Sequence, residues 1–494
     1  MATISRRSFH RPVWLCLATT MVAGAFAQGG PEATEIKLEL ERANSPLAFD
    51  IVHDATPEII ATDVRGHVVM AGGNPLEISG HVSLGRDALT APGVGVFLKG
   101  RMHDIVVGTS AGSLIFLNGQ TLEVIAQKKI GDEFSLRPTV FAGLGGTDRV
   151  ALADQNGKIL CVELEGAANI KVLWEFATGT RPAATLTVGE VRQKGVRDLV
   201  GTTADGYVAL VSESDGKGEL VLVQQNAIFS RSPLLFDIDR DDRAEVFATS
   251  DSARMYAMTY DASATPRLKK LWTAELMGQP VSAPLAIWKD GAQADAKLLQ
   301  LSESSLTVVD PQTGKVIAKS ANEIASITCA PALIPREGRY PEVAFGAKNT
   351  LQVTTNLQEW IESKGATPLQ LATASVKHDV ANTVVVTVAN GAPTVSGISF
   401  DTNGYLSSFA PASMTTKWIN ATPWMTEGGD PENSSQLNES ERYDAKANGE
   451  AAGKLAAAWR AEFDKAMAAR DWEKAAAQAK LLRDHDPYDS EFAS

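Results

Sequence analysis

Between residues 45 and 420 the chain is written in short apolar runs of three to six residues, broken by polar turns rich in Gly, Asp and Asn. The runs recur in a fixed order. A unit opens with Xaa-Pro and an apolar triplet, as in Ser45-Pro46-Leu47-Ala48-Phe49 and Ser232-Pro233-Leu234-Leu235-Phe236. A polar turn and an acid follow, then a second apolar run ending in small residues, as in Asp104-Ile105-Val106-Val107-Gly108 and Glu245-Val246-Phe247-Ala248-Thr249. A Gly-containing turn leads to a third run (Ala111-Gly112-Ser113-Leu114-Ile115), and a fourth closes the unit, as in Gly314-Lys315-Val316-Ile317-Ala318. Runs of this length between Gly and Pro punctuation predict β-strands, four to a unit.

The opening prolines lie at 46, 92, 138, 182, 233, 284, 331 and 368, at spacings of 46, 46, 44, 51, 51, 47 and 37 residues. Proline lacks an amide donor and suits the first residue of a strand. A four-stranded sheet with two apolar faces cannot bury both alone. Blades packed face to face around an axis bury both, and closing the ring leaves only short edges. A parallel α/β arrangement would need helical crossovers, and these connections are too short for them. The expectation is therefore an all-β, eight-bladed β-propeller over residues 45–420. The compressed last spacing keeps seven blades as the alternative. Residues 28–44 contain the alternating segment Glu35–Glu41, a candidate strand to complete the last blade and latch the ring.

With these residues laid out, the chain resembles two propeller families. The acid-turn-acid-apolar pattern is similar to FG-GAP repeats. The Asp310-Pro311-Gln312-Thr313-Gly314-Lys315 turn and the strand ends around Trp174 and Trp272 resemble quinoprotein (PQQ-like) repeats. The resemblance is specific for architecture and weak for activity, since these propellers host enzymes, lectins and scaffolds alike.

Charge and leader sequence add a compartment. The formal charge is −13, and removing residues 1–27, which hold three arginines and no acid, makes it more negative. That argues against nucleic acid, since phosphate binding needs a basic face. Arg6, Arg7 and Arg11 precede a short apolar core and Ala25-Phe26-Ala27, the pattern of a cleaved export signal. The adjacent arginines fit either twin-arginine or general secretory export, so a periplasmic or secreted protein is expected. After residue 27 the sequence has no apolar run long enough to span a membrane. Cys161 and Cys329, four blades apart on the repeat map, are expected as separate buried thiols.

The sharpest chemical motif is Asp237, Asp239, Asp241 and Glu245, at positions 1, 3, 5 and 9 of one loop. FG-GAP resemblance implies calcium there, because alternate carboxylates in a tight loop converge on a hard cation. Asp242 stands where Gly would ease the turn. In the first unit Asp50, Asp54 and Glu58 repeat the pattern, but Val52 replaces one carboxylate. Catalytic motifs are absent: there is no His-Glu-x-x-His, no Gly-x-Ser-x-Gly and no Cys-x-x-Cys-His. His53 beside Asp54 reads as a surface residue of a turn. Quinoprotein dehydrogenases need a vicinal cysteine pair that this sequence lacks, so neither PQQ nor haem is expected.

Residues 421–450 read as a flexible linker, and residues 451–494 as a helical hairpin. Trp459, Ala475 and Pro487 resemble tetratricopeptide spacing, with Phe463 where a small residue is usual. Trp459, Phe463 and Trp472 are the expected partner-binding side chains, because one hairpin cannot bury its apolar face alone. The whole points to a non-catalytic extracytoplasmic scaffold whose partners are other exported proteins. The alternatives are a glycan-binding module, or an enzyme of the PQQ-dehydrogenase or calcium-assisted polysaccharide-degrading kind.

Overall fold

A computed structural model describes residues 33–51, 57–73, 76–99, 103–143, 146–166, 169–289, 292–320, 324, 326–334, 336, 338–389, 392–399 and 404–411, with helical pieces inside 460–475. The leader 1–27, the linker 421–450, His53 and Asp54, Trp459 and Trp472 lie outside the described residues. The strands form eight sheets, each an antiparallel blade of four consecutive strands except the last. The protein is an eight-bladed β-propeller.

The first strand of each blade begins at residue 47, 93, 139, 187, 234, 285, 332 or 380, a period of 46 to 51 residues that is more even than the proline spacing. Six of the eight prolines directly precede such a strand. Pro182 sits earlier, bridging Thr203 in the turn above blade 4, as Pro280 bridges Ser302 above blade 6. Pro368 does not open blade 8, contrary to the sequence expectation. It precedes Leu371–Ser375, the outermost strand of blade 7, and the irregular spacing arises because helix Leu357–Glu362 is inserted before that strand. Leu357, Trp360 and Ile361 of the helix are buried in the seam between blades 6 and 7.

Blade 8 is assembled from both ends of the propeller. Val380–Ala389, Ala392–Ser399 and Tyr405–Phe409 supply three strands, and Thr34–Lys37 adds the outermost by antiparallel pairing with Tyr405–Phe409. The strand that closes the ring thus comes from the N-terminal segment, where the alternating pattern placed a candidate. The short strand Cys329–Ala330 joins the same sheet by parallel pairing with Val380–Ala389, linking blade 7 to blade 8.

The second strand of a blade is apolar at nearly every position because its two faces meet different neighbours. Ile105 and Val107 face blade 1, while Val106 faces blade 3. Such alternation produces eight buried apolar clusters among the described residues, one in every seam. The last joins Val385, Ile398 and Leu406 of blade 8 to Ala48, Ile59 and Val69 of blade 1. Truncating one of these Leu or Ile side chains to Ala typically costs about 2–5 kcal/mol.

Polar contacts cross the seams as well. The Thr139 hydroxyl donates to the Leu186 carbonyl and the Thr187 hydroxyl to the Pro233 carbonyl, both at 2.8 Å. Trp174 lies on Gly216 of the next blade and donates its indole N–H to the Glu213 carbonyl at 2.8 Å. Trp272 lies on Gly314 and donates to the Pro311 carbonyl at 2.9 Å. A Cβ at either glycine would come within 2.7 Å of the ring, and both have positive φ (69° and 70°). The turn and tryptophan read as quinoprotein-like are therefore two halves of one brace between blades. Cys161 and Cys329 are free and buried, and burial pushes both thiols up to about 12.

Candidate functional site

The acid that opens the second strand recurs because it holds a loop. In blade 1, Glu58 Oε2 accepts the Ile51 amide at 2.8 Å, and in blade 5, Glu245 Oε2 accepts the Ile238 amide at 3.0 Å. In blade 3, Asp148 Oδ2 accepts the Val96 amide of blade 2 at 2.8 Å. Asp198 accepts the Arg192 amide at 2.9 Å and its guanidinium, and Glu342 accepts the Thr354 hydroxyl at 2.5 Å and the Leu357 amide at 3.3 Å. Glu58, Asp198, Glu245 and Glu342 are buried, and Asp148 is half-buried. A buried acceptor is stable only with such donors, so the same chemistry fixes each turn.

The blade 5 loop adds carboxylates to this frame. Asp237 Oδ1 accepts the Arg240 amide at 2.6 Å and Oδ2 the Asp242 amide at 2.9 Å, coiling the loop back on itself. Arg240 and Asp242 adopt left-handed φ of 64° and 66°, so the sixth position takes the geometry expected of Gly with an Asp in its place. Each of Asp237, Asp239 and Glu245 offers one oxygen, and these atoms lie within 4.8 Å of one another. Asp241 is turned away and paired with Arg243, whose Nε lies 2.8 Å from Oδ2. Of the four sequence-nominated ligands the loop thus gathers three.

Glu245 registers the local charge. Burial pushes its carboxyl up to about 7, the Ile238 amide and Thr259 hydroxyl pull it down, and Asp239 and Asp237 push it up further. Three hard oxygens around one point suit a divalent cation, and the remaining ligands would have to come from backbone or water. Lys194 of blade 4 pairs with Asp242 at 2.7 Å, and Gln312 of blade 6 donates to the Ile238 carbonyl at 3.4 Å. The loop is held from both sides.

Sequence reasoning missed a second polar centre, in blade 1. Asp63, fully buried, accepts the amides of Glu41, Arg65 and His67, and its Oδ2 lies 3.0 Å from His67 Nδ1. The His81 ring centroid is 5.4 Å from that of His67. The legible signal was the turn Asp63-x-x-Gly66-His67, repeated as Asp154-x-x-Gly157-Lys158, where Asp154 accepts the Asn156 and Lys158 amides. The bond from Glu41 shows its work: it ties the N-terminal segment to blade 1.

The predicted hairpin is described only in part. Phe463 is helical and half-buried, Ala466 and Ala475 are buried, and Met467 is 43% exposed.

Comparison with solved structures gives the fold class. BamB from Moraxella catarrhalis is 16% identical, with a TM-score of 0.53, covering 78% of this chain and 99% of that one. Saccharomyces cerevisiae Sqt1 is 10% identical with a TM-score of 0.57, over 78% and 99% of the two chains. The C-terminal WD40 domain of Sif2 is 14% identical with a TM-score of 0.52, over 77% and 99%. No protein-family model and no curated protein sequence matches this chain. At these identities the likeness defines a β-propeller and carries no activity with it. Among the described residues, no helix is long and apolar enough to cross a membrane.

Proposed function

We propose that this protein is an extracytoplasmic, non-catalytic scaffold that binds other proteins on the loop faces of its disc. The observation that carries the reading is the use made of the carboxylates that open the second strands. Glu58, Asp148, Asp198, Glu245 and Glu342 hold loop amides and hydroxyls, which stiffens the turns between fixed strands. A rigid frame with variable loops favours recognition of a surface over transformation of a substrate. Exposed Ile228, at 47% on the loop between blades 4 and 5, offers an apolar contact there. The export-signal pattern supports the extracytoplasmic assignment, and the hairpin segment 451–494 is the second recognition element.

The test is affinity capture from periplasmic extract, using the mature protein with and without residues 451–494. The same proteins recovered by both forms would remove the hairpin from the reading and leave the disc. No protein recovered above an unrelated exported control by either form would overturn the scaffold reading itself.

The blade 5 loop is proposed to hold calcium in a structural role through Asp237, Asp239 and Glu245. The convergence of these three carboxylates supports it. Calcium should raise the melting temperature over EDTA, and Asp239→Asn should abolish the rise. An unchanged melting temperature removes the ion from the reading.

A further inference from the structure

The seam between blades 5 and 6 is apolar over most of its depth and polar at one end. Leu234, Phe236 and Phe247 of blade 5 meet Ala286, Leu298 and Val309 of blade 6. Beyond them the sequence changes character. On blade 6, Gln300 and Ser302 share a face of strand Ala292–Ser302, and their cross-strand partners are Thr307 and Ser305. On blade 5, Thr249 alternates with Ala248 and so shares the face of Phe247, which meets blade 6. Segment 276–284 passes over this end: Ser305 Oγ donates to the Met277 carbonyl at 2.5 Å, and Gln300 Nε2 donates to the Ser282 carbonyl at 2.9 Å.

Four atoms in this group have no hydrogen-bond partner among the described protein atoms: Thr249 Oγ1, Gln300 Oε1, Ser302 Oγ and Thr307 Oγ1. All four residues are at most 1% exposed. The corresponding threonines elsewhere are satisfied. Thr62 donates to the Thr90 carbonyl at 2.7 Å and Thr202 to the Phe229 carbonyl at 3.0 Å, each bonding to the loop over its own seam. Thr249 occupies the same place in its blade and finds no such acceptor.

Leaving one buried polar group unmade is costly, and four on one seam are not tolerated in a dry interface. The set mixes three hydroxyls, able to donate and accept, with one amide oxygen that only accepts. That combination suits water, which bridges two to four polar partners in buried sites. It carries no formal charge to hold a multivalent ion. We infer that the seam between blades 5 and 6 holds a buried water cluster on Thr249, Gln300, Ser302 and Thr307. The cluster completes hydrogen bonds that the protein alone does not make, and gives the ring one wet seam beneath segment 276–284.

A high-resolution crystal structure of the full chain, grown once in sodium and once in rubidium salt, tests this directly. Density peaks at hydrogen-bond distance from at least three of the four oxygens, with no rubidium anomalous signal, are expected. An anomalous peak would replace water by a monovalent cation. Side chains rotated onto protein acceptors with no density between them would overturn the site. A second measurement needs no crystal: water-oxygen-17 relaxation dispersion counts long-lived internal waters. The Thr249→Val/Thr307→Val variant should lose that part of the dispersion contributed by the seam, while Thr202→Val should leave it in place. Equal dispersion in wild type and the double variant would overturn the cluster.

Discussion

Glu245 is a buried carboxylate and Glu35 a half-buried one, and their environments push them in opposite directions. Glu245 is raised to about 7 from an ordinary 4.5, chiefly by burial. Its native form holds a proton that the unfolded chain releases, so its contribution is complete below 4.5 and is lost as pH rises through about 7. Glu245→Gln should therefore flatten the decline: between pH 5 and 8 in EDTA, wild type should lose about 1–3 kcal/mol more than the variant in urea unfolding. Bound calcium would hold the carboxylate ionised and erase that difference. Glu35 is tilted the other way. Burial pushes it up, but the Lys377 amide and ammonium and the Ser407 hydroxyl outweigh this and hold it below 4.5. Its contribution is present above 4.5 and lost as pH falls. Glu35→Gln should cost about 1–2 kcal/mol at pH 7 and less as pH falls below 4.5, read from the same unfolding curves.

At the scale of elements, the inter-blade braces are the most exposed to small changes. Gly216→Ala puts a methyl into the ring of Trp174 at a residue with φ of 69°, where side chains are also strained. Crowding and backbone strain together should cost about 2–4 kcal/mol, measured as a lower urea midpoint with an unchanged slope. Gly195→Ala is the control: its φ is 74°, but the added methyl meets nothing within 4 Å. It should cost less than Gly216→Ala. Much of the brace could be read in advance, because Trp and the Gly turn sit at recurring places in the unit. The strand pattern was legible for the same reason, each run being apolar on two faces. What escaped was the last unit. Pro368 carries the local signature of a strand start, and it does start one, but local residues do not say which position in a blade that strand fills. The eighth proline signature thus fell on the outer strand of blade 7, and pairing of Tyr405–Phe409 with Thr34–Lys37 fixes blade 8. The carboxylate loop was half legible. Spacing named the four acids, but it could not show Arg243 drawing Asp241 out of the group.

The molecule as a whole is a closed ring without a dominant core, its stability spread over eight seams. Deleting residues 33–37 should leave seven blades paired and one blade a strand short, with Tyr405–Phe409 as a bare edge. The expected outcome is a lowered melting temperature and concentration-dependent association by light scattering, since an unpaired edge recruits other strands. A truncated form that stays monomeric and melts with the full chain would show that the closing strand is dispensable.

That closing strand also sets an order of events. Ser407 donates to Glu35 across 372 positions of sequence, and Thr34–Lys37 pairs with strand Tyr405–Phe409. Strand Thr34–Lys37, made early in synthesis, must wait for Tyr405–Phe409 before it has its partner. Blades 1 to 7 use only neighbouring segments and can form in sequence as the chain appears. The eighth cannot, because its closing pair joins residues 372 positions apart. Until residue 409 has arrived, every nascent form of this protein is an open arc with two free edges, and protection of that arc belongs to whatever handles the chain before release.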